Sequence, residues 1–199
     1  LGFEAAHERI LVNIDKRAKL ADNDRCVGLA KSAGLKIKAL MSCGHPGESE
    51  ETITNIRDWL IRSAVDDFDC TVITTYPGTP YYDLAVPHPS LPDVWTYTHP
   101  KTGDRLHARE VDYTVCADYY KGDPNGGYRS FVFTDHLSSD ELVKLRDMVE
   151  RDVRENRLSD AERALAFVAV LPGRHEERYQ THAALLAQIR IRLHLLAGR

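Results

Sequence analysis

Residues 35–53 read LKIKALMSCGHPGESEETI, and three patterns follow one another within them. Ile37, Ala39 and Met41 alternate with Lys36, Lys38 and Leu40, the two-residue period of a strand with one buried face, so Leu35 to Cys43 is expected as a strand. Gly44-His45-Pro46-Gly47-Glu48 then reverses the chain tightly. From Ser49 onward, Ile53, Ile56, Leu60 and Ala64 keep the spacing of an amphipathic helix. Strand, glycine turn and helix make one β/α unit.

The same unit recurs outward from this stretch. Phe68 to Tyr76 is rich in β-branched Thr71, Val72, Ile73, Thr74 and Thr75 and is expected as the next strand, about 35 residues after the first, a period suited to right-handed β/α crossovers. It ends in a second tight turn, Tyr76-Pro77-Gly78-Thr79-Pro80, where Pro80 takes an N1-like position of a short helix. Upstream, Leu1-Gly2-Phe3 reads as the end of a strand. A helix is expected over about residues 6–16, carrying Ile10, Leu11 and Ile14 on one face. A second helix, capped by Asp22 or Asn23, should stop at Gly34.

Beyond residue 85 the pattern breaks. Pro87, Pro89, Pro92 and Pro100 exclude long helices, and Trp95–His99, Thr102-Gly103-Asp104 and Arg105–Ala108 predict a hairpin. Residues 121–127, KGDPNGG, are a loop, and Ser130 to Thr134 is one further strand. Ser138 and Glu141 form a capping box opening a helix over about 139–157. Ser159 and Glu162 are expected to cap a separate helix running to Val170, where Pro172-Gly173 follows. The organisation is thus residues 1–85 as an α/β part, 86–158 as an α+β extension, and 159–199 as a helical tail with no assigned role.

Composition narrows the function. The 199 residues carry a net charge of −4, with 43% hydrophobic and 28% charged residues, values of an ordinary globular chain and not of an electrostatic nucleic-acid binder. No apolar run reaches the roughly 20 residues of a membrane span, so a cytoplasmic protein without a membrane span is expected. The four cysteines, Cys26, Cys43, Cys70 and Cys116, are too widely spaced for a disulfide framework or a metal site and are expected as free, mostly buried thiols. The nine histidines contain no H-x-x-x-H pair, and no metal ligands are assigned. His7 is expected as a surface or capping residue.

Chemistry is expected at the two turns, because parallel α/β folds bind ligands where loops leave the carboxyl ends of strands. Gly44 and Gly47 permit positive φ and close approach to the backbone, Pro46 stiffens the turn, and free amides at the helix start favour an acceptor-rich ligand. Glu48 suits the helix dipole or accepts from an amine or hydroxyl. Tyr76, Pro77, Gly78 and Thr79 would share that rim, as would Glu4 at the first strand end. Taken alone, each turn is better read as purely structural; the two on one rim carry more than either. Tyr113, Tyr119, Tyr120 and Tyr128 either line a substrate pocket or pack the extension. No catalytic residue is assigned.

Taken in order, GFEAAHERILVNIDKRA, KIKALMSCGHPGESEETI and DFDCTVITTYPGTPYYDLA resemble the second half of the catalytic barrel of radical S-adenosylmethionine enzymes, in the class with an N-terminal cobalamin-binding domain. The resemblance covers about residues 1–85. It implies an α/β fold, the C-terminal half of a partial (β/α)6 TIM-like barrel followed by an α+β and helical extension. It implies that Gly2-Phe3-Glu4 ends the fourth strand, GHPGE follows the fifth and PGTP the sixth, around bound S-adenosylmethionine. It further implies a [4Fe–4S] cluster, a small-molecule substrate, cobalamin in some members, and radical C–H chemistry such as methyl transfer or oxidative cyclisation. Two departures matter. Ala5-Ala6 replaces a common Ser-Gly, and His45 stands where an aromatic residue is usual. Nothing here matches the family's three-cysteine cluster loop, so the chain is expected to be the C-terminal part of such an enzyme, inactive alone, with the N-terminal half as its missing partner. The alternatives are a non-catalytic α/β binding or interaction module and a conventional transferase holding phosphate at the GHPGE turn.

Overall fold

The computed structural model describes residues 1–63, 65–111 and 129–170, the last eleven of these by backbone alone. The chain divides into two compact units, Leu1–Val153 and Arg154–Arg199. The first holds both sheets.

Three parallel strands, β1 (Gly2–Glu4), β2 (Lys38–Cys43) and β3 (Asp67–Val72), lie side by side in that order. Between them run helices α1 (Glu8–Asn13), α2 (Leu20–Ser32) and α3 (Glu50–Ser63). The expected alternation is present: Ala39, Met41 and Cys43 are buried on one face with Phe68, Cys70 and Val72, while Lys38, Leu40, Asp67, Asp69 and Thr71 stay exposed on the other. The buried face packs against α3 through Ile53, Ile56, Trp59 and Leu60, with the Phe3 and Trp59 ring centroids 5.0 Å apart. On the opposite face Lys38 bridges Asp67 at 3.3 Å and Asp69 at 3.0 Å.

A second sheet is antiparallel: β4 (Val86–Pro87), β5 (Val94–Thr98), β6 (Arg105–Arg109) and β7 (Val132–Thr134), in that order. β5 and β6 are the expected hairpin, paired Thr96 to His107. Tyr97, Leu106, Ala108 and Val132 from this sheet join the same core as the parallel strands. A four-residue helix, α4 (Pro80–Asp83), links the two sheets. The long helix α5 (Ser139–Val170) opens on the expected capping box, with Ser138 N–H donating to Glu141 Oε2 at 2.8 Å, and buries Leu142, Val149 and Val153.

Several expected boundaries move, each for a local reason. α2 is capped at Lys19, not at Asp22 or Asn23, because the Asp22 carboxylate reaches back to the Lys19 N–H at 2.9 Å. β2 begins at Lys38 and not Leu35, since Ile37 N–H donates to the Asp66 side chain instead of to a strand. β3 ends at Val72, before the Tyr76 turn. α1 is shorter than residues 6–16, with His7 as its N-cap accepting from Arg9 N–H. α5 passes through Ser159 without a break, so no separate helix starts there. Nothing from 139 to 170 is Gly or Pro, and a capping sequence begins a helix only where the preceding backbone has left helical angles. The architecture is mixed α/β, and no closed barrel forms among the described residues. Cys116 and the tyrosines at 113, 119, 120 and 128 lie outside those residues.

Candidate functional site

The carboxyl ends of the three parallel strands open onto one cavity of about 730 Å³, within the range of small-molecule sites. Glu4 from the end of β1, His45 from the turn after β2, and Ile73, Thr74 and Thr79 from the segment after β3 all line it. The rest of the lining comes from the segment after α1 (Asp15, Lys16), from Tyr81 of α4, and from Tyr97, His99 and Lys101 of the hairpin.

Glu4 sits there in an unusual backbone state. Its φ of 67° lies in the left-handed region, uncommon for a non-glycine residue and worth roughly 1–3 kcal/mol of strain. The ladder between β1 and β2 is irregular at this point. A Cβ on Gly2 would fall 2.5 Å from Glu4 Oε1, so a larger residue there would displace that carboxylate. The carboxylate is held from two sides: Ser42 Oγ donates to Oε2 at 2.9 Å, and Lys16 Nζ stands 3.4 Å from Oε1. Asp15, another cavity residue, also has positive φ.

His45 is buried, and burial pushes its pKa down to about 4, so the ring is neutral. Its Nε2 lies 2.9 Å from Ser42 Oγ and its Nδ1 3.3 Å from the Tyr81 hydroxyl. Tyr81 is itself raised above the ordinary phenol range by burial, and its ring packs on Tyr97 with centroids 5.0 Å apart.

The remaining GHPGE residues face the protein. Glu48 is fully buried; its Oε2 accepts from the N–H groups of Gly44 and, at 2.8 Å, His45. Burial pushes its pKa up to about 8, although those two bonds pull the other way, and Oε1 has no hydrogen-bond partner. The turn amides of Gly44 and His45 are therefore occupied from within the chain, and at the helix start Ser49 N–H donates to Thr52 Oγ1 at 2.9 Å. The glycines serve close packing of protein on protein. Gly44, at φ 93°, is approached by Val132 and Val72, and a Cβ on Gly47, at φ 78°, would stand 2.5 Å from the Asp104 carboxylate. Pro46 offers its carbonyl to Asn13 Nδ2 at 2.6 Å. Tyr76, Pro77 and Gly78 precede Thr79 but do not line the cavity.

A clasp missed by sequence reasoning ties the rim together. Asn13 Nδ2 also donates to Asp104 at 2.8 Å, its Oδ1 accepts from Thr102 at 2.8 Å, and Arg9 grips Asp104 with two bonds. Burial works to raise the Asp104 pKa, but the bonds from Arg9 and Asn13 outweigh it and hold the carboxyl below the ordinary range. The one available signal was a polar residue, Asn13, placed beside Ile10 and Leu11 on an otherwise apolar helix face. Among the described residues no three His, Cys, Asp or Glu side chains gather as metal ligands. Cys26 is half-buried on α2, and Cys43 and Cys70 are sealed in the sheet.

No protein-family model matches the chain. Over 128 residues it is 23% identical to a protein of Methanocaldococcus jannaschii named a "putative methylthiotransferase"; the match takes in 62% of this chain and 28% of that protein. The chain thus spans little more than a quarter of that relative's length. Among the described residues no helix is long and apolar enough to cross a membrane.

Proposed function

We propose that the chain is part of a radical S-adenosylmethionine enzyme, and that the strand-end cavity forms part of the wall holding S-adenosylmethionine. One observation carries this reading: three parallel strands deliver Glu4, His45 and the Thr79 segment to a single hollow large enough for a nucleoside. The distant likeness to a named methylthiotransferase supports it, since that activity belongs to radical S-adenosylmethionine enzymes. The exposed face of the parallel sheet, opposite α3, fits half of a (β/α)6 barrel whose other half would be the partner lining that face.

S-adenosylmethionine, when bound, supplies the radical for C–H chemistry, of which methyl or methylthio transfer and oxidative cyclisation are the forms in view. The residues of this chain bind and orient: Glu4 offers acceptors to hydroxyl or amine groups, and Tyr81 with Tyr97 gives an apolar aromatic wall. The described cysteines do not fit an iron–sulfur cluster, because a cubane needs closely spaced thiolates; its ligands belong elsewhere in the parent enzyme. The site residues we propose are Glu4, His45 and Thr79 at the cavity, with Gly44, Pro46, Gly47 and Glu48 shaping the turn that presents His45.

Isothermal titration of the full chain with S-adenosylmethionine tests the reading. Binding is expected, and Glu4→Gln should weaken it about tenfold, the loss of roughly one charged hydrogen bond. A wild-type chain that takes up no S-adenosylmethionine, together with in-frame upstream coding sequence lacking a three-cysteine loop, ends the proposal. A non-catalytic module would bind none and carry no such loop.

A further inference from the structure

The hydrogen atoms along Glu4, Ser42, His45 and Tyr81 can be placed by counting. Ser42 Oγ has one proton and two neighbours at 2.9 Å, Glu4 Oε2 and His45 Nε2. A carboxylate only accepts, so the hydroxyl proton goes to Glu4, and Ser42 must accept from an Nε2–H. A neutral imidazole protonated at Nε2 has a bare Nδ1. That nitrogen faces Tyr81 Oη at 3.3 Å, nearer than the competing Asn13 carbonyl at 3.5 Å. The phenol proton is therefore spent inside the protein, and the oxygen lone pairs of Tyr81 are left for the cavity.

We propose that His45 is a positioning residue that fixes Tyr81 Oη as a hydrogen-bond acceptor, so that this wall of the cavity takes an N–H or O–H donor of its ligand. Glu4 and the Asn13 carbonyl beside it also only accept, so the three groups present one polarity. A ligand lacking a donor at this wall leaves a half-buried phenol oxygen unpaired, the arrangement by which polar sites reject isosteres. An aromatic hydrocarbon in place of His45 would leave the Tyr81 proton only the Asn13 carbonyl, at 3.5 Å, and loosen the constraint. The inference rests on reading the cavity as a ligand site, but the wiring is testable without any ligand.

Nitrogen-15 NMR of histidine-labelled full chain tests the wiring, with the His45 signals assigned by their loss in His45→Phe. At neutral pH we expect the Nε2–H tautomer, with an Nδ1 resonance that moves toward the unbonded value in Tyr81→Phe. An Nδ1–H tautomer or an imidazolium overturns the inference, because Nδ1 would then donate to Tyr81 Oη and His45 would no longer hold the phenol proton. The acceptor role is tested with adenosine against N6,N6-dimethyladenosine and 2′,3′-di-O-methyladenosine, which lack donors at opposite ends. Wild type should disfavour one analogue about tenfold, and Tyr81→Phe should abolish that penalty. Penalties that persist unchanged in Tyr81→Phe overturn the acceptor role. If wild type binds no adenosine, the nucleoside reading of the cavity falls while the tautomer still decides the wiring.

Discussion

Glu48 and His45 are neighbours in one turn and titrate in opposite senses. Glu48 has its pKa raised from 4.5 to about 8, so the folded chain holds a proton there that the unfolded chain releases from about pH 4.5 upward. Its stabilising contribution is present below pH 4.5 and lost as pH rises through 8. His45 is lowered from 6.5 to about 4, so its contribution is present above 6.5 and lost as pH falls through 4. Between 4.5 and 6.5 the two slopes cancel; above 6.5 only Glu48 acts. Linkage then gives a fall in stability of about 2 kcal/mol between pH 6.5 and 8. Urea melts should show that decline in wild type, and Glu48→Gln should flatten it. A wild-type curve that rises over this interval contradicts the burial of a protonated Glu48. The role of this residue was hidden in the sequence. A glutamate in a helix's first turn suits the dipole in solvent, and only the packing of Val132 and Thr134 above it shows the turn to be roofed over.

At the scale of elements, the hairpin between β5 and β6 is docked against the GHPGE turn by Asp104. Gly47→Ala should cost about 2–4 kcal/mol, from a left-handed φ together with a Cβ pressed on the Asp104 carboxylate. Gly103→Ala makes the control, since it shares positive φ but meets nothing within 4 Å; it should cost only about 1 kcal/mol. Thermal melts of the pair check this, and equal losses would show that Asp104 yields freely. The strands and helices themselves were legible, because alternation in Ile37, Ala39 and Met41 and the helical spacing of Ile53, Ile56 and Leu60 each admit one buried face. Element ends were less so. β2 starts late because a side chain, Asp66, captures the Ile37 amide, and that contact lies 29 residues away in sequence.

For the whole of the first unit, parallel and antiparallel sheets share one core, with Met41 and Phe68 in the same cluster as Leu106 and Val132. They should unfold together. The chain's two tryptophans report on the two sides: Trp59 on α3 and Trp95 on β5. In Trp95→Phe and in Trp59→Phe, the remaining fluorescence should follow the far-ultraviolet circular dichroism through one transition. Separate midpoints within either variant would divide the unit. The sequence places a boundary at residue 85, just before Pro87, Pro89, Pro92 and Pro100. Those prolines mark a change of sheet type, whereas the burial that joins the sheets arises from distant pairs such as Gly44 with Val132, which local patterns do not carry.

The ion pairs of Lys38 with Asp67 and Asp69 bear on what can ever cover the bare side of the parallel sheet. One cation between two anions leaves a surplus negative charge, well hydrated and about half exposed. An oily segment laid across it would have to strip water from three charges at once, a heavy desolvation cost. A segment that brings a positive group of its own is favoured there, and two copies stacked bare side to bare side would bring two surplus negative charges together unless the Lys38 of each met an aspartate of the other.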